Sequence, residues 1–75
     1  MAKTYVTFGS AHRHEIGEEV FDKDCVAVIE CEDEYEGRAR AFALFGPKFC
    51  FEYHENKFTE SSMQYFPRGK INVKQ

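Results

Sequence analysis

Between Cys25 and Tyr53, two extended apolar segments enclose a segment with helix signals at both ends, and this stretch limits the fold more than any other. Val26, Val28 and Ile29 lie in an apolar run too short for a helix, while Phe49, Phe51 and Tyr53 alternate with more polar neighbours. Asp33 can cap a helix, Glu36 stands three residues on as in a capping box, and Gly46-Pro47 closes the far end. The pattern therefore predicts strand, helix over 33–45, strand. On that helix Tyr35, Ala39 and Phe42 recur at helical spacing, with Leu44 and Phe45 widening the stripe. This makes Phe42 an expected core residue and turns Arg38 and Arg40 outward. Gly37 costs ~1 kcal/mol relative to alanine inside a helix, which a close approach to the sheet would explain.

The rest of the chain reads as strands and turns added to this unit. Thr4 to Phe8 alternates as a short strand ending at Gly9-Ser10, and His12 to Ile29 reads as a hairpin around Gly17, its return running on through Asp22-Lys23-Asp24. In the strand from Cys25 to Cys31 both faces are apolar: Cys25, Ala27, Ile29 and Cys31 on one side, Val26 and Val28 on the other. Such a strand belongs in the middle of a sheet. After Tyr53 a single helical turn is expected from Thr59 or Ser61 towards Tyr65. A turn follows at Phe66-Pro67-Arg68-Gly69, then a short edge strand with Ile71 and Val73. The fold class is α+β: one α-helix packed on a small, mostly antiparallel sheet of four or five strands, in a single domain over residues 1–75.

A chain of 75 residues buries only about 60% of the surface its unfolded form exposes, so large side chains matter. Eight Phe and four Tyr supply them. The three cysteines are an odd number, and Cys25 and Cys31 lie roughly 20 Å apart on one expected strand at ~3.3 Å per residue. Buried reduced thiols and a cytoplasmic protein are expected. No apolar run approaches the ~18 residues of a membrane span, and Met1-Ala2-Lys3-Thr4 does not begin a signal peptide.

The net charge of −3 is unevenly spread. Glu30, Glu32, Asp33, Glu34 and Glu36 form an acidic run at the strand end and first helical turn, where acids also suit the positive end of the helix dipole. Arg68, Lys70 and Lys74 make a basic tail. His12 and His14, two apart on an extended segment, point the same way and are the candidate metal ligands, with Asp22, Asp24 or Cys25 as a third. Cys50 and His54 share a strand face but stand roughly 13 Å apart, too far for the hydrogen bond that would activate a thiol. No Gly-rich phosphate loop, Cys-x-x-Cys pair or hydrolase elbow is present, so no cofactor and no catalytic residue are assigned.

What remains is a binding protein. Phe58, Met63, Tyr65 and Phe66 either fold back over the sheet or form the aromatic centre of an interface. Glu30, Glu32, Glu34 and Glu36 form a negative corner suited to steering a basic partner, such as a nucleic-acid-binding surface. In size, acidity and lack of a catalytic signature the chain resembles the small accessory proteins of phages and mobile elements, anti-CRISPR proteins among them. That likeness is one of general character and rests on no shared motif. It implies an inhibitor that occludes a host machine's binding surface. The expected function is a non-enzymatic protein-binding module, with a second copy of the chain as a further candidate partner. The alternatives are a metal-binding or hydrolytic protein using His12 and His14, and a nucleic-acid adaptor using the basic tail. Direct nucleic-acid binding is disfavoured by the acidic balance.

Overall fold

The computed structural model describes residues 2–73. Six strands, β1 (Ala2–Thr7), β2 (His14–Ile16), β3 (Glu19–Phe21), β4 (Cys25–Cys31), β5 (Phe51–His54) and β6 (Gly69–Asn72), combine with one helix, α1 (Glu34–Phe45), and two 3₁₀ segments, Glu55–Lys57 and Glu60–Tyr65. The main sheet has the order β5-β1-β4-β6, and β2-β3 forms a separate two-stranded sheet. β1 runs antiparallel to both β4 and β5, whereas β6 lies parallel to β4, so the sheet is mixed. The α+β class holds, with one helix on a four-stranded sheet. The apolar β4 takes a central place, as its two-faced pattern requires.

The helix begins where its caps say it should. The Asp33 carboxylate accepts from the Glu36 backbone N–H at 2.9 Å, and the Glu36 carboxylate accepts in turn from the Glu32 backbone N–H. At the other end Gly46 takes φ 61°, and its N–H donates to the Phe42 carbonyl at 2.8 Å.

The buried face of α1 is only partly the expected one: Phe45 is buried and Leu44 packs on the core, but the rest of the stripe is turned. Gly37, Ala41 and Phe45 are buried, while Tyr35 is 80% and Phe42 46% exposed. The reason lies at Gly37. A Cβ built there would stand 1.8 Å from Thr4 Oγ1, 2.8 Å from Thr4 Cβ and 3.0 Å from Cys31 Sγ. The helix backbone rests directly on β1 and β4 at the one residue with no side chain, so the stripe runs 37, 41, 45 and carries Phe42 to the rim. There it packs on Phe49, with ring centroids 5.2 Å apart, and under the Arg38 guanidinium.

The hairpin also departs from expectation. Asp22 interrupts the path between β3 and β4: its carboxylate accepts from the Asp24 N–H and its carbonyl from the Cys25 N–H. The chain turns there, and β2-β3 packs over one end of the core instead of extending the sheet. Phe8, Phe21 and Phe45 meet edge-on or tilted at that end, with centroids 4.9–6.2 Å apart.

The sheet thus has two covered faces. On the helix face Val6, Phe8, Phe21, Cys25, Ala27, Ile29, Ala41, Phe45 and Val73 form the larger core. On the other face Tyr5, Val26 and Val28 are covered by the partly buried Phe58, Met63 and Phe66. Cys25 and Cys31 are buried free thiols, as expected, but Cys50 is exposed. Burial pushes the Cys25 thiol pKa up, against a smaller lowering by its bond to the Asp22 backbone.

Candidate functional site

Register partners lie on the same face of a sheet, so the pairing of β5 with β1 sorts its side chains. Glu52 and His54, opposite Val6 and Thr4, lie on the helix face. Phe51 and Tyr53, opposite Thr7 and Tyr5, lie on the 3₁₀ face. β5 ends the sheet, and its outer edge is unpaired among the described residues.

A cleft lies on each side of this edge. On the helix face, about 270 Å³ is enclosed by Glu34, Tyr35 and Arg38 from α1 together with Glu52, Tyr53, His54 and Lys57. This cleft is charged, with acids and bases on both walls. His54 Nδ1 is buried there without a hydrogen-bond partner among the described residues. On the opposite face, about 350 Å³ is enclosed chiefly by Phe51, Tyr53, Phe58, Tyr65 and Phe66, with Thr59, Ser62 and Cys50 supplying polar groups. Phe51 is 57% and Tyr65 70% exposed. Of the four large apolar side chains left exposed among the described residues, Tyr35, Phe51 and Tyr65 line these two clefts.

The aromatic segment splits accordingly. Phe58 packs edge-on against Tyr5 and Tyr53, with centroids 5.0 and 5.6 Å away, and Met63 and Phe66 join it in covering the sheet. Tyr65 alone of the four points to the surface. Alternation marks Phe51 and Tyr53 only as strand residues. Phe51 belongs to the site because β5 is an edge strand, a fact of sheet order that alternation does not contain.

The acidic run is divided as well. Glu30, Glu32 and Glu34 are exposed. Asp33 is spent on the helix cap, and Glu36 bonds the Glu32 N–H and pairs with Arg40 at 3.2 Å. Glu34 belongs both to this corner and to the charged cleft.

The two histidines sit in different surroundings. His12 precedes β2, within a turn closed by its own N–H on the Gly9 carbonyl, and only His14 enters the strand. His14 Nε2 lies 2.7 Å from the Lys48 carbonyl oxygen, with its ring 5.0 Å from Phe45 and 5.7 Å from Phe8. Its position is explained by packing. Among the described residues no three His, Cys, Asp or Glu side chains gather at metal-binding distances.

The basic tail is largely spoken for. Arg68 bonds the Val20 carbonyl at 2.7 Å and pairs with Asp22 and Glu19. Lys70 pairs with Glu60 at 2.6 Å and lies over the Tyr5 ring at 4.9 Å. The Glu60 carboxylate holds its ammonium above the ordinary lysine pKa. Lys74 lies outside the described residues. Among them, no helix is long and apolar enough to cross a membrane.

No protein-family model matches the chain, and comparisons with curated proteins and with solved structures likewise find no match.

Proposed function

We propose that this chain is a non-enzymatic protein-binding module whose contact surface is the free edge of β5 and the clefts beside it. The observation that carries the reading is the concentration of exposed aromatic rings (Tyr35, Phe51 and Tyr65) on both sides of one edge strand, whose outer edge is unpaired among the described residues. An added strand gains main-chain hydrogen bonds along such an edge, and pockets on alternate faces read its side chains. The apolar cleft suits an aromatic or aliphatic side chain and the charged cleft a charged one. Glu32 and Glu34, exposed beside the charged cleft, favour a partner with basic groups near the contact and would speed encounter more than they deepen affinity. Inhibition of a basic binding surface is one role such a module can serve. No specific observation favours the metal or nucleic-acid alternatives, since His14 is packed and bonded while Arg68 and Lys70 are neutralised within the chain.

The test is photo-crosslinking in cells from positions 51 and 65, with the exposed helix position 43 as control. The expected result is one protein adduct shared by 51 and 65 and absent from 43. Equal labelling from all three positions, or none from 51 and 65, would sink the reading.

A further inference from the structure

The strand that lies between the two clefts has the alternation that would fill them. Phe51 and Tyr53 project on the apolar side, Glu52 and His54 on the charged side. We propose that the edge of β5 is taken by β5 of a second copy, in an antiparallel pair with the two-fold axis at Tyr53. The inference rests on the reading of β5 as a contact edge, and names the partner.

A two-fold axis perpendicular to a sheet pairs an edge strand with itself in antiparallel sense and keeps both copies' helices on the same face. Such an axis must pass beside one residue, and the charges choose which. Centred on Glu52, it would set two carboxylates directly opposite each other, which is unfavourable. Centred on Phe51, it would carry half of the overlap off the strand into the Cys50 turn. Centred on His54, it would set two imidazoles opposite each other and run the overlap into the 3₁₀ segment. Centred on Tyr53, it faces Glu52 with His54 of the second copy, twice by symmetry, on the charged side, and only the outermost pair, Phe51 with Glu55, reaches the 3₁₀ segment. On the other side each Phe51 then lies diagonal to the second copy's Tyr53. Phe51 and Tyr53 already stand 5.9 Å apart within one chain, so the row of rings continues across the axis. The main-chain groups left unpaired along β5 find partners, and the exposed edge disappears.

The opposite edge is unsuited to the same event. β6 carries Lys70, engaged with Glu60, and Arg68 ties the entrance of β6 to the β2-β3 hairpin. Charge and cover of this kind are what keep a sheet edge from pairing with another chain. β5 has neither.

The paired region is short, so the dimer is expected to be weak and concentration-dependent. Sedimentation equilibrium of the whole chain should show mass rising from 8.8 kDa towards twice that value. Phe51→Lys, at an exposed position, should leave the circular dichroism spectrum unchanged and raise the dissociation constant about tenfold. In a Cys50→Ser background, Tyr53→Cys should form an interchain disulfide on mild oxidation, whereas Glu52→Cys should not, because only position 53 faces itself across the axis. A monomeric mass up to about 1 mM overturns the proposal. So does a dimer insensitive to Phe51→Lys that is trapped more readily through position 52. If the chain stays monomeric but position 51 still crosslinks a different protein, this inference fails and the binding-module reading stands. If neither occurs, both fail.

Discussion

The two faces of the sheet share their central strands, β1 and β4, yet they are closed by different means. On the helix face α1 settles onto Thr4 and Cys31 through Gly37, and the side chains beneath it are almost wholly out of solvent. On the other face two 3₁₀ segments lay Phe58, Met63 and Phe66 over Tyr5, Val26 and Val28 and leave each of the three covering residues partly exposed. A helix presents a continuous stripe at fixed spacing and can seal a surface. A 3₁₀ segment of three to six residues offers isolated side chains, and space remains between them. The apolar cleft is that remaining space. Stability therefore concentrates on one face, and the open apolar surface on the other and along the β5 edge that joins them.

Four substitutions and one labelling experiment test this contrast. Phe21 is 1% exposed and meets both Phe8 and Phe45 on the helix face. Phe21→Ala should cost about 3–5 kcal/mol by urea unfolding, out of a total expected at only ~4–11 for a chain this size. Gly37→Ala should cost about 2–3 kcal/mol, even though alanine is the better helix former by ~1, because the new methyl meets Thr4. A neutral or stabilising result would mean that the helix can ride higher on the sheet than its contacts imply. On the looser face Phe58→Ala should cost about 1–2 kcal/mol, since its ring is only partly buried. Phe42→Ala, at the exposed rim of the helix, should cost less than about 1 kcal/mol. A larger loss at Phe42 than at Phe21 would reverse the assignment of the helix face altogether.

The labelling experiment costs no stability at all. Cys25 and Cys31 belong to the sealed face, and Cys50 lines the apolar cleft. A maleimide should modify one thiol per folded chain, identified by peptide mapping as Cys50, and three after denaturation. Rapid native labelling of Cys25 would show that the helix face opens more easily than its burial implies.

Local signals in the chain were enough to determine the elements and several of their ends. Asp33, Glu36 and Gly46 act on backbone groups within four residues, so their roles could be read without knowing what α1 packs against. The doubly apolar pattern of Val26 to Ile29 likewise announced a central strand. The turn before Gly69, closed by its N–H on the Phe66 carbonyl, follows from its own residues. Everything that depended on which surfaces meet was decided in three dimensions. The large residues Tyr35 and Phe42 outweigh Gly37 and Ala41 in any count of hydrophobicity, yet the helix turned on Gly37, because distance of approach to Thr4 governs the packing and that distance exists only once β1 is in place. His12 and His14 match a metal pair by spacing, but only His14 lies in β2, where its ring meets the Lys48 carbonyl. β5 and β1 are far apart in sequence, and so are β4 and β6. Alternation tells which side chains share a face but says nothing of which strand stands beside which, and it is that order which leaves Phe51 at an open edge.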